Sequence, residues 1–390
     1  MRSTSRLISV FVLLVWLAQP ARAAIDVKAE IQAHLDGMVA AGVPGVVLTV
    51  RDNGRAWRAE AGVADVATGA PLPVDGRFRI ASLTKPMVAT VVLQLVHEGR
   101  LTLESTLGTV LPGLVPGAEH VRVEQLLHNT SGLNDYVNAP EFADPAGYVW
   151  RRYTPESLVR IANGLGHGAP GTWKYANTNF VLLGLIVERV TRDDLADQLR
   201  HRVFQPAGMR VTELPALPFV WGPHASGHYR IDPGPRTELT ELDPSFAWAA
   251  YGIVSSAGDI QRFHTALATG RLLPRELADR MRTDAVTTTN PVWPRYGLGV
   301  EEMSTTCGVR LWGHTGAIPG YSTFSFGTAD ARKQVVVSSS LFSPKDGTQV
   351  LHMVHAVNLE FCGEPWRPPT GNAQSLSFIP TWLASNPSRS

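Results

Sequence analysis

Strand-like patterning is confined to the two ends of the chain, and this placement constrains the fold more than any other feature. Near the N-terminus, Gly45-Val46-Val47-Leu48-Thr49-Val50 reads as a strand. Asp52-Asn53-Gly54 then reads as a hairpin turn, because Asn-Gly readily accepts positive φ, and the chain returns as a second strand over 57–62. Residues 25–41, ahead of this hairpin, have the apolar spacing of a helix. Strands return only at 297–303, 309–312, 322–326 and 334–340, followed by a helical run at 349–361. The stretch between reads as helices at 88–98, 123–127, 156–162, 180–190 and 257–268, separated by Pro- and Gly-rich loops. A sheet drawn from both chain ends predicts an α/β lobe (24–81 and 290–363) in which helices flank an antiparallel sheet. A helical insertion lobe (82–289) completes one folding unit, with a cleft between the lobes as the natural place for a site.

At 390 residues and 44% hydrophobic content, the chain can build a core of this size. Lys plus Arg (35) nearly balances Asp plus Glu (34) with no basic run, so there is no electrostatic footprint for nucleic acid or an anionic membrane. Arg2 and Arg6, the apolar run 7–18, Pro20 and Ala21-Arg22-Ala23 are the three parts of a signal peptide (1–23), with cleavage expected after Ala23. That run is shorter than the roughly 20 residues a membrane span needs, so no span is expected after cleavage, and a secreted or periplasmic protein is. Residues 364–390, rich in Pro and Ser, read as a poorly ordered tail. Cys307 and Cys362 are the two cysteines; an exported chain permits one disulfide between them, with two buried thiols as the alternative.

Three short elements carry chemistry. In Ser82-Leu83-Thr84-Lys85, opening a helix, one turn sets a hydroxyl beside an amine, and backbone N–H groups at the helix start point toward a developing oxyanion. The chain holds 30 Arg but five Lys, and this position needs a group able to lose a proton, which Arg is not. In Tyr175-Ala176-Asn177, ahead of a helical run, a phenol near an amine can have its pKa lowered and shuttle protons, and the Asn amide can orient substrate or Lys85. Tyr136-Val137-Asn138 has the same spacing, but lies in a loop with no helix to brace it. His314-Thr315-Gly316 follows a strand-like run, where a substrate backbone could pair with the strand edge and both side chains could donate into the cleft. Taken singly, each element is matched by an ordinary turn or helix end.

In that order, Ser82-x-x-Lys85, Tyr175-x-Asn177 and His314-Thr315-Gly316 resemble the three motifs of the serine β-lactamase and penicillin-binding superfamily, nearest to its secreted D-Ala-D-Ala carboxypeptidase branch, related to class C β-lactamases. The stretches 125–133, 177–180 and 252–256 are similar to family segments around the cleft, and the placement of Cys307 and Cys362 resembles a bridge of soluble members. The resemblance implies a β-lactamase/DD-peptidase-like fold, with Ser82 as nucleophile and Lys85 and Tyr175 sharing the general acid and base work. It also implies Asn177, His314, Thr315, Gly316 and Ala317 as substrate-binding residues, the backbone N–H groups of Ser82 and Ala317 forming the oxyanion hole. Substrates would be peptidoglycan stem peptides or small D-amino-acid peptides and esters, with β-lactams as inhibitors or substrates, and a monomer needing no cofactor or metal.

Two positions depart from the carboxypeptidase pattern. Where that branch binds a terminal carboxylate with an Arg on the preceding strand and a hydroxyl after the tripeptide, this chain has Glu301 and Ala317, with Arg310 as a possible substitute cation. The competing readings are a β-lactamase, an esterase or D-amino-acid amidase, and, in another class, a non-catalytic peptidoglycan or penicillin sensor. His352 and His355, three apart on a helix with no third ligand in sequence, read as helix surface rather than a metal site.

Overall fold

The computed structural model describes residues 25–231, 234–344 and 347–367. Helix α1 (Val27–Ala40) starts at Asp26, whose carboxylate accepts from the backbone N–H groups of Lys28 and Ala29, and buries the stripe Ile31, Leu35 and Met38. Each of these side chains contributes about 1.5–3 kcal/mol by leaving water. Strands β1 (Gly45–Asp52) and β2 (Arg55–Gly62) form the expected hairpin, with Asn53 and Gly54 both at positive φ. The short strand β3 (Arg77–Arg79) leads into a single helical turn (Ala81–Leu83) and then α2 (Thr84–His97). Helix α2 is buried on nearly every side, so it forms the axis of the helical lobe; Pro86, in its first turn, displaces no helical hydrogen bond.

Helix α3 (Asn177–Thr191) crosses α2, and β4 (Val254–Ser256) pairs antiparallel with β3, tying the two lobes together before α4 (Ala257–Ala268). The chain then returns to the sheet through β5 (Val286–Thr287), β6 (Arg295–Tyr296), β7 (Glu301–Ser304), β8 (Arg310–Ile318), β9 (Tyr321–Gly327) and β10 (Lys333–Ser339), and ends in α5 (Gly347–Cys362). The eight-stranded sheet has the order β2-β1-β10-β9-β8-β7-β6-β5, with every neighbouring pair antiparallel. One core lies between this sheet and the α1/α5 pair, and a second fills the helical lobe. The α/β lobe from both chain ends, the antiparallel sheet and the helical insertion are as the sequence predicts.

Local differences have local causes. Strand β8 runs on to Ile318, so His314-Thr315-Gly316 lies inside a strand rather than after one. Its glycines are there for clearance: a Cβ on Gly313 would sit 1.8 Å from the Ser325 carbonyl oxygen, and one on Gly316 would meet Thr323 Oγ1 at 2.4 Å and the Ile80 carbonyl oxygen at 2.6 Å. At its far end the packed body runs past 363, because Trp366 is buried and its indole N–H donates to the Ser304 carbonyl. The expected tail beyond 367, and the expected signal peptide, lie outside the described residues. Cys307, in the β7–β8 turn, is bonded to Cys362 at the end of α5, with Cα atoms 5.5 Å apart.

Two outcomes follow from this packing. The bridge closes a loop across a sequence separation of 55 residues, so replacing both cysteines with Ser lowers unfolding free energy by about 2–4 kcal/mol, measured by urea titration. Gly316→Ala, whose methyl would drive β8 away from the Ile80–Ala81 backbone, costs about 1–3 kcal/mol, measured by the same titration.

Candidate active site

The turn that carries Ser82 is held under backbone strain. Ala81 has φ of +51°, a conformation L-residues rarely adopt, and it persists because neighbours fix both sides of it. Thr323 Oγ1 on β9 donates to the Ile80 carbonyl (3.0 Å), Thr84 Oγ1 donates to the Ala81 carbonyl (2.8 Å), and the Ile253 N–H donates to Thr84 Oγ1 (3.1 Å). Ser82 is thereby presented at the start of α2, with its backbone N–H groups free of strand pairing.

Lys85, one turn on, is fully buried and spends all three donors: on Ser82 Oγ (2.9 Å), Asn177 Oδ1 (2.8 Å) and the Ala250 carbonyl (2.9 Å). Its Nζ lies over the rings of Tyr175 (4.7 Å), Phe180 (5.4 Å) and Tyr251 (5.8 Å). Burial pulls its pKa down to about 7, against the opposing charges of Asp135 and Glu301. Asn177 opens α3 and bridges the amine to Asp135, its Nδ2 donating to Asp135 Oδ2 (2.9 Å). Burial raises the Asp135 carboxyl to about 6, while Asn177 and Lys85 hold it down. Asp135 is a member of the site that the sequence did not single out; it stands two residues beyond the family-like stretch 125–133.

Tyr175 is buried beside Lys85, whose Nζ lies 4.7 Å from its ring centre, and Ser82 is near enough to pull against the rise of its pKa. The expected lowering of its pKa is reversed: burial pushes it well above the usual phenol value, with Tyr296 and Glu301 adding to the shift, so it is a protonated hydroxyl. The loop before it is braced by Asn129, whose Oδ1 accepts from the Ala176 N–H (3.1 Å) and from Asn179 Nδ2 (2.8 Å). Tyr136, with the competing spacing, is a core residue whose hydroxyl donates to the Phe246 carbonyl (2.5 Å).

The third element comes to the same place but keeps its donors to itself. His314 Nδ1 bonds the Thr315 carbonyl, so Nε2 accepts from the Tyr296 hydroxyl (3.1 Å); burial holds the imidazole at about 3, so it is neutral. The Thr315 N–H donates to Glu301 Oε2 (2.7 Å) and its hydroxyl to Glu301 Oε1 (3.2 Å), so neither side chain donates freely into the cleft. Burial raises the Glu301 carboxyl to about 7, relieved by Thr315 and Lys85. Strand β7 pairs with β8 only at 310–313, which leaves the edge carrying Thr315 and the half-exposed Ala317 unpaired on the cleft side. Arg310 is exposed and about 13 Å along the strand from His314, so it does not serve as the substitute cation.

Among the described residues, no group of three His, Cys, Asp or Glu side chains is placed to hold a metal. His352 and His355 pack instead on His34 of α1, with His34 Nδ1 3.0 Å from His352 Nδ1. No helix of the described residues is long and apolar enough to cross a membrane.

Residues 30–357 match the family described as Beta-lactamase. The chain is 26% identical to penicillin-binding protein 4* of Bacillus subtilis, across 76% of this chain and 68% of that one. A D-stereospecific amidohydrolase from Streptomyces sp. superposes with a TM-score of 0.78 at 33% identity, covering 86% of this chain and 98% of the other. The D-amino acid amidase from Ochrobactrum anthropi SV3 gives 0.76 at 26% identity, covering 86% and 99%. The chain spans 62 to 70% of the length of the curated relatives it matches. The match across most of the chain, together with the fold it shares with these proteins, makes the chain a serine hydrolase of the β-lactamase and penicillin-binding family.

Proposed function

We propose that the protein hydrolyses amide bonds of D-amino-acid derivatives through an acyl-enzyme on Ser82. The observation that carries this reading is the Lys85 amine: buried, bonded to Ser82 Oγ at 2.9 Å, and held near a pKa of 7, where a neutral fraction exists at physiological pH. Neutral Lys85 takes the Ser82 proton as Oγ adds to the carbonyl carbon. The backbone N–H groups of Ser82 and Ala317 receive the oxyanion. As the tetrahedral intermediate collapses, the C–N bond breaks and the leaving nitrogen takes a proton from Tyr175, and Lys85, which holds the proton taken from Ser82 and lies 4.7 Å from the Tyr175 ring, restores it to the phenol. Water then adds to the ester, and the acid departs with Ser82 regenerated. A high Tyr175 pKa suits it to donate a proton rather than to serve as the resting base.

The D-preference rests on similarity to a D-stereospecific amidohydrolase and a D-amino acid amidase. A D-alanyl-D-alanine carboxypeptidase would use the same chemistry, differing in a leaving group that bears a free carboxylate. An exported location fits the same reading: residues 1–23 carry a signal-peptide pattern, and the Cys307–Cys362 bridge calls for an oxidising compartment.

Incubated with D- and L-phenylalanine amide, wild type releases ammonia from the D-form alone, and Ser82→Ala loses at least ~10³-fold in rate. Equal turnover of the L-amide, or activity that survives in Ser82→Ala, overturns the reading. The pH profile of kcat/KM rises with pH through about 7, as the coupled Lys85, Asp135 and Glu301 cluster loses the proton that keeps Lys85 cationic. Asp135 stabilises the ammonium form, so Asp135→Asn moves this acidic limb to lower pH; a limb that stays in place or moves up contradicts the assignment of Lys85 as base.

A further inference from the structure

Glu301 holds both Thr315 donors where the pairing of β7 with β8 ends. Side chains and edges alternate with a period of two along a strand, so the N–H of Thr315, directed at Glu301, and the N–H of Ala317 face the same open edge of β8. A substrate that pairs antiparallel with this edge sets its acyl residue opposite Ala317, exchanging hydrogen bonds with that residue's N–H and C=O. Its chain then runs toward lower numbers on β8, so the group that departs lies beside Thr315. The donors available there are the Thr315 N–H and hydroxyl, the pair a terminal carboxylate would need. Both are already bound by Glu301, through Oε2 (2.7 Å) and Oε1 (3.2 Å), with its side chain almost wholly buried.

Other cations do not restore the balance. Lys85 has its three donors committed, Arg310 is exposed, and Arg295 on β6 turns to Glu302 (3.4 Å) and to the Thr283 and Ala285 carbonyls. Lys174 turns to Asn134 Oδ1 (2.7 Å), and beside Glu301 Tyr296 lies between Trp173 (6.2 Å), Tyr175 (6.2 Å) and the uncharged His314 (5.8 Å). We propose that Glu301 is a specificity-determining residue which, by holding both Thr315 donors and presenting an acid, restricts the leaving group to amines, ammonia or alcohols without a free carboxylate. This rests on the acyl-enzyme reading above and selects, within it, amidase over carboxypeptidase substrates.

The test compares D-alanyl-D-alanine with D-alanyl-D-alanine amide, cleavage of the peptide bond being scored by mass for each. These two leaving groups differ only in whether the carboxylate is capped. Assayed above the pKa of about 7 to which burial raises Glu301, where it is ionised, wild type favours the capped peptide by at least ~10²-fold in kcat/KM, the size expected when like charges are brought together in a desolvated site. In Glu301→Gln, which keeps the shape and an acceptor for the Thr315 N–H, that preference falls at least ~10-fold, with the gain on the free dipeptide appearing mainly in KM. Equal cleavage of both by wild type, or an unchanged preference in folded Glu301→Gln, overturns the proposal, and the wild-type pair decides it if the variant does not fold. Absence of any Ser82 adduct or turnover with these peptides and with D-phenylalanine amide would instead remove the acyl-enzyme reading itself, and this inference with it.

Discussion

Everything at this site depends on burying one amine. Lys85 lies at the centre of the helical lobe, where an isolated ammonium would cost several kcal/mol, and three elements far apart in sequence bring it acceptors: Ser82 on its own helix, Asn177 at the start of α3 and the Ala250 carbonyl in the turn before β4. Two carboxyls, Asp135 and Glu301, lie near enough to stabilise its charge without forming a direct ion pair. The result is a balance rather than a salt bridge. Burial alone would hold the amine neutral, the carboxyls alone would hold it charged, and together they leave its pKa at about 7, where gaining and losing a proton are both easy.

That balance constrains the backbone around it. Ser82 reaches the amine only because Ala81 accepts a left-handed conformation, and Ala81 keeps it because β9 anchors Ile80 from one side and α2 anchors Ala81 itself from the other. Strand β8 passes so close to this turn that Gly316 has no room for a Cβ against Ile80 and Thr323. The helical lobe supplies Ser82 and Lys85, and the sheet supplies the edge. Neither lobe holds a complete site.

What the sequence revealed and what it hid divide along the same line. Period-two runs at the chain ends, the Asn53-Gly54 turn and the spacing of Ser82 and Lys85 are local signals, and they were sufficient for the two-lobe architecture and for the groups that meet around the amine. Asp135 was hidden because nothing in its own neighbourhood distinguishes it from a turn aspartate; only the fold brings it to Asn177. The strand through His314-Thr315-Gly316 was masked by glycines that ordinarily mark turns, and that are present here because Ser325 and Ile80 come so near. The direction of the Tyr175 shift was misjudged because proximity to an amine is visible in a motif, whereas complete burial among Tyr296, Glu301 and Lys85 is not. Trp366 extends the packed body past the Pro-rich boundary for a similar reason: its contact with Ser304 is made across 62 positions of sequence.

The same distinction explains why motifs of this kind identify a reaction more readily than a substrate. The proposed proton transfers need an amine, two hydroxyls and an amide gathered in one place, and a helical turn plus two short motifs record that requirement in sequence. In the proposed reading the leaving group meets a different strand. Glu301 belongs to β7, outside all three motifs, and it reaches the cleft because β7 stops pairing with β8 at Gly313, leaving its side chain to close on Thr315 where a further strand pair would have stood. On that proposal, a change at that one position alters the charge met by the departing group while leaving the contacts of Ser82, Asn177 and Tyr175 with Lys85 in place. Substrate class can therefore diverge within this architecture without disturbing the buried amine on which the chemistry rests.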